Sequence, residues 1–79
     1  MKRKHLAEAL RSLRTTERHT RASVAEALQI SSTRAAGIER ASVLPTSSEV
    51  RQWCGCVAAP IATTRRLVAL RDLIAEAER

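Results

Sequence analysis

Between Thr20 and Ile38 the apolar and small residues fall where two short helices must cross at a tight turn. Val24, Ala25 and Leu28 form one face of a first helix, and Ala35 and Ile38 repeat the spacing on a second. Gln29, Ile30 and Ser31 interrupt the pattern. Ser31 suits an N-cap, because its hydroxyl can accept from an amide one turn further on, and Ile30 before it can pack back onto the new helix. Ala25 carries only a methyl, which permits a close, steep crossing. The pattern predicts a helix-turn-helix unit over about residues 20–40, its second helix standing outward.

The flanks read as three more helices. Leu6, Leu10 and Leu13 share a face from about Lys4 to Glu17, with Ala7 and Ala9 close by. Arg18 to Thr20 is a short connection, and Thr20 caps the helix that runs to Leu28. The next helix spans Ser32 to about Arg40. Pro45 cannot continue a helix and holds Leu44 extended, so Ala41 to Pro45 is a linker with Leu44 as a buried plug. Thr46 or Ser47 caps a fourth helix, SSEVRQWCGCV, with Val50, Trp53, Cys54 and Val57 inward. Pro60 opens a fifth as its first helical residue, running to Ala77. Leu67, Leu70, Ile74 and Ala77 form its stripe, with Val68 and Leu73 beside it. That stripe is wider than one small bundle needs. Its surplus edge either covers the core or pairs two copies in a homodimer.

Composition sharpens this picture. The chain has 79 residues, 44% hydrophobic but 1% aromatic, with Trp53 as its one aromatic, two Gly and two Pro. A core of Ala, Leu, Val and Ile suits closely packed helices, and alternating apolar runs are scarce. The expectation is an all-α, compact bundle of about five helices, with residues 1–79 as one domain. No stretch is long and apolar enough to span a membrane, and no secretory leader pattern follows the basic start. The chain is expected to be cytoplasmic and nucleoid-associated. Cys54 and Cys56 are too close for an unstrained disulfide and too few for a closed zinc site, so they read as reduced thiols.

The net charge is +6. Nine Lys and Arg stand against four Glu in residues 1–40, whereas five stand against four acidic residues in 41–79. The excess sits with the bihelical unit, and from Arg11 onward every basic residue is Arg, whose planar fork matches phosphate. His5 and His19 lack carboxylates at ligand spacing, the glycines make no phosphate loop, and Ser31, Ser32 and Thr33 have no base beside them. The reading is therefore a binding protein and not an enzyme, with no metal and no cofactor.

A helix that reads duplex DNA enters the major groove with its N-terminal end and outer face free. With Ala35 and Ile38 turned inward, the expected base-facing residues are Ser32, Thr33, Arg34, Ala36 and Gly37, with Arg34 toward a flank. Arg21 and Arg40, with Arg11 and Arg18 at helical spacing on and after the first helix, are the expected phosphate contacts. Lys2, Arg3 and Lys4 are expected to form a flexible basic arm. Without surface aromatics to stack bases, the single-stranded and RNA alternatives recede and duplex DNA is favoured.

With these positions in place the chain resembles the lambda-repressor-like, Cro/CI-type helix-turn-helix family, also called the XRE family. LRSLR at 10–14, TRxxVAEAL from Thr20, ISSTR from Ile30, IER at 38–40 and LPTSSEVRQW from Leu44 follow the order of an actinobacterial-type variant. That pattern reads roughly LTQEELAERLGIS, then a recognition helix ending in IERG, then LPS and a helix with VRAW. The resemblance implies a five-helix bundle that binds operator DNA with its third helix, commonly as a dimer. It also implies an ion pair between Arg14 and Glu39 across the bundle, and a phosphate role for Arg21 in place of the usual Gln. Three positions depart from the pattern: Gln29 replaces the turn glycine, Ala35 a β-branched residue, and Ala41 the glycine after IER.

The expected function is a sequence-specific double-stranded-DNA-binding transcriptional regulator, bacterial or phage-borne. The alternative is a protein-binding module that keeps the fold, such as an antitoxin-like, anti-repressor or RNA-polymerase-associated factor.

Overall fold

A computed structural model describes residues 2–79. It holds five helices, α1 (Lys2–Thr16), α2 (Arg21–Leu28), α3 (Ser32–Glu39), α4 (Ser47–Cys56) and α5 (Ile61–Ala77), with no strand among the described residues. α1 packs on α3, α4 and α5, α2 on α3 and α4, and α4 on α5. Two starts differ from expectation. α1 begins at Lys2, not near Lys4, and Pro60 is the N-cap of α5 instead of its first helical residue.

The helix starts follow from local chemistry. Free amides at a helix N-terminus need acceptors, and Thr20 Oγ1 accepts from Ser23 N–H while Ser31 Oγ accepts from Arg34 N–H, each at 3.0 Å. Thr46 caps α4 through a reciprocal box: its Oγ1 accepts from Glu49 N–H at 3.0 Å, and Glu49 Oε1 accepts from Thr46 N–H at 2.8 Å.

The helix ends are less well served by the sequence. Arg18, Gln29, Ala41 and Ala58 have φ of 60°, 57°, 65° and 55°, the left-handed region that glycine occupies without penalty. At Gln29 this conformation turns the chain so that Ile30 N–H reaches Ala25 carbonyl at 3.0 Å, which closes α2 and aims Ser31 at the start of α3. Tertiary packing imposes the bend that the missing glycine would have favoured.

Leu6, Leu10, Val24, Leu28, Ile38, Val50, Trp53, Cys54, Val57, Leu67 and Ile74 form one core. Trp53 is wholly buried, and its indole N–H donates to Leu10 carbonyl at 3.1 Å. A buried indole donor without a partner is costly, so this bond fixes where α4 lies along α1. Leu44 is half-buried and Pro45 buried, with Arg71 of α5 donating to Pro45 carbonyl at 2.8 Å. On α5, Leu67 and Ile74 face inward while Leu73 and Ile61 stay exposed.

Candidate nucleic-acid interface

α2 and α3 are held in their crossing by three inward groups. Ala25, Ala35 and Ile38 are buried, and the two alanines leave room for the helices to approach. α3 therefore presents its N-terminal turn outward: Ser32 and Thr33 are exposed. Arg40, at the other end of α3, is also exposed. The eight residues of α3 extend roughly 12 Å, so this face is short.

Three ion pairs, made by two carboxylates, tie α3 to α1, α2 and α4. Arg14 of α1 donates through both Nε and Nη2 to the carboxylate of Glu39, and through Nη1 to His19 carbonyl at 2.8 Å. Arg21, at the first position of α2, stands 3.5 Å from the same carboxylate. Arg34 Nε and Nη2 donate to Glu49 Oε2 and Oε1 at 2.6 and 2.7 Å. These hydrogen bonds hold the Glu49 carboxyl below the usual carboxylate range against the opposing effect of burial, and raise the Arg34 value further. Both groups are charged at neutral pH.

A short exposed helix set across a second helix by a tight turn, N-terminal end outward, is the geometry of a helix-turn-helix. The family model described as "Helix-turn-helix domain" matches residues 5–72. The chain belongs to that family. The match encloses α2 and α3 and most of α1 and α5, and is consistent with the lambda-repressor-like resemblance. Among curated proteins and solved structures none matches the chain at a significant level. Helix-turn-helix domains bind DNA, and this one is assigned to that general class.

Within the helix-turn-helix domain the expected site residues do not all fall together. Ser32 and Thr33 share the exposed end of α3, and Ala36 is half-buried beside them. Gly37 is not on that face. It is buried against the loop that follows α3, and a Cβ there would stand 2.8 Å from Val43 Cγ2 and 3.3 Å from Ser42 Oγ. Its missing side chain makes room for the returning chain, not for DNA, and Ser42 and Val43 amides both reach its carbonyl. Arg34 lies on the flank, committed on one edge to Glu49.

The basic arm is likewise corrected. Lys2, Arg3 and Lys4 belong to the first turn of α1, and Arg3 donates to both oxygens of Glu78 at 2.8 and 2.9 Å. Its pairing also holds the exposed Glu78 carboxyl below the usual range. Lys4 and Arg11 instead line a shallow hollow with Glu8, Glu39 and Arg40, beside the C-terminal end of α3. Arg18 and Arg21 lie before and at the start of α2.

Glu49 escaped the sequence reading. Its signal was the Thr46-x-x-Glu49 spacing of a capping box, which places a carboxylate at the N-terminus of α4. Nothing in that spacing says that α4 begins beside α3, so the partnership with Arg34 depends on the fold.

Proposed function

We propose that this helix-turn-helix domain is a sequence-specific double-stranded-DNA-binding regulator of transcription that inserts α3 into the major groove. The observation that carries the reading is the exposed N-terminal turn of α3, with Ser32 and Thr33 outward and Ala35 and Ile38 locked beneath. Ser32 and Thr33 donate to or accept from base edges, and Ala36 meets a thymine methyl. Arg21, Arg40, Arg11 and Arg18 engage phosphate, aided by the amides at the starts of α2 and α3. Arg21 serves two ends, since the carboxylate of Glu39 at 3.5 Å orients it without enclosing it.

The protein acts in the cytoplasm on the nucleoid, and occupancy of the operator changes transcription by blocking or recruiting. It works as a homodimer through α5, where Leu73 is 53% exposed. Sedimentation with and without duplex reads that stoichiometry.

Duplex binding followed by fluorescence anisotropy over a salt series tests the reading. Arg21→Ala and Arg40→Ala each weaken binding to all sequences and lower the salt slope by about one. No measurable duplex binding at low salt overturns it. That result would favour the protein-binding alternative, which gains support from the small side chains on the outer face of α3.

A further inference from the structure

We propose that Arg34 reads a guanine in the operator and that Glu49 is the positioning residue that holds its guanidinium for the task. The inference rests on the DNA-binding reading above.

The geometry begins with the cap of α4. Glu49 is buried, and its Oε1 accepts from Thr46 N–H at 2.8 Å, which fixes the carboxylate relative to the backbone. The same oxygen accepts from Arg34 Nη2 at 2.7 Å, and Oε2 accepts from Arg34 Nε at 2.6 Å. One edge of the guanidinium is thus clamped in a two-point contact that allows little rotation. The opposite edge, built from Nη1 and the second N–H of Nη2, makes no hydrogen bond among the described residues. The Arg34 side chain is 37% exposed, whereas Glu49 is only 11% exposed. The acid lies behind and the donors lie in front. Arg34 is the third residue of α3, in the turn that carries Ser32 and Thr33.

Two parallel N–H donors on a fixed planar edge match the O6 and N7 acceptors of guanine in the major groove. They match phosphate less well, because the clamped pair carries no net charge and attracts a polyanion weakly. Pre-orientation also lowers the entropy lost when a long side chain is fixed on a base. Glu49 serves two purposes with one carboxylate: it closes the cap of α4 and aims a side chain of α3.

The test is selection of bound duplexes from random DNA, with wild type, Arg34→Ala and Glu49→Gln, followed by salt-titrated affinity on the selected site. Gln can still close a capping box, so Glu49→Gln keeps the cap while removing the charged clamp. Thermal unfolding verifies that each variant is folded. Wild type should enrich one fixed guanine per half-site, preferred over adenine by about ten-fold or more. Arg34→Ala should abolish that preference and leave the other positions of the consensus in place, and the double variant with Glu49→Gln, which uncovers no carboxylate, should keep the wild-type salt slope. Glu49→Gln should bind as tightly or more tightly at low salt, with a steeper salt slope and a guanine preference reduced several-fold.

An unchanged guanine preference in either variant overturns the inference. So does a wild-type consensus without a guanine that depends on Arg34, or a drop of about one in the salt slope for the Arg34→Ala, Glu49→Gln double variant, which would make the residue a phosphate contact. These failures leave DNA binding intact. Absence of any duplex binding by wild type overturns the inference and the proposed function together.

Discussion

Arg14 and Glu39 meet across the bundle with side chains only 11% and 5% exposed, joining the C-terminal end of α1 to that of α3. Removing one partner strands a charge. Glu39→Ala should cost about 3–5 kcal/mol, since it leaves Arg14 without its carboxylate. Replacing both with apolar residues of similar volume should recover much of the loss. Urea unfolding of the single and double variants, compared as a cycle, reads the coupling. Against a total of roughly 4–12 kcal/mol for a chain of this size, that loss is a large share of the stability, and the single variant should unfold at a clearly lower urea concentration than wild type.

Trp53 supplies both the largest buried side chain and the Leu10 hydrogen bond. Trp53→Phe should lose about 1–3 kcal/mol through the smaller ring and the lost donor, while Trp53→Ala should lose about 3–5 kcal/mol. Thermal unfolding by circular dichroism measures both. In the wild type the emission of this one aromatic reports its exposure to water as the protein unfolds.

Gln29→Gly and Ala41→Gly should each raise stability by about 0.5–1 kcal/mol. Relief of the left-handed penalty, about 1–2 kcal/mol, outweighs the added freedom of the unfolded chain, about 0.5–1 kcal/mol. For a domain of this size each kcal/mol moves the melting midpoint by about 4–8 °C. Gly55→Ala is a useful contrast. A Cβ there meets nothing within 4 Å, and the residue is helical, so it should gain about 1 kcal/mol through helix propensity alone.

Acid should weaken the fold partly through Glu49. Its folded pKa lies below the unfolded value, so its contribution is fully present above about pH 4.3 and is lost as pH falls through the folded value. Glu49→Gln should therefore show a shallower loss of stability on acidification than wild type in urea titrations at several pH values. Some slope should remain, because Asp72, held low by Ser47 and Arg71, and Glu78, held low by Arg3, lie on the same side of the balance.

The inward faces were readable because helical periodicity records burial directly. Val24, Ala25, Leu28, Ala35, Ile38, Val50, Trp53, Cys54 and Val57 are all buried as their spacing required. Thr20 and Ser31 were readable as caps because capping chemistry is local. Gly37 was not, because its neighbour in space is Val43, brought there by a loop whose path is set by the fold. Charge carried no record of direction either. Arg3 looked like part of a free arm until α5 delivered Glu78 to it, and Arg34 looked uncommitted until α4 delivered Glu49. Long polar side chains take their roles from partners that periodicity does not locate.

Arg18, Gln29, Ala41 and Ala58 end their helices without the residue that would end them in isolation. Before the bundle assembles, little in the local sequence tells α1 or α2 where to stop, and a peptide spanning either boundary should fray or run on past it. The stops come into being only as Leu28, Ile38, Trp53 and their neighbours pack. Helix boundaries and core should therefore form in the same cooperative step, and a fragment cut from this chain should fail to preserve the turn between α2 and α3.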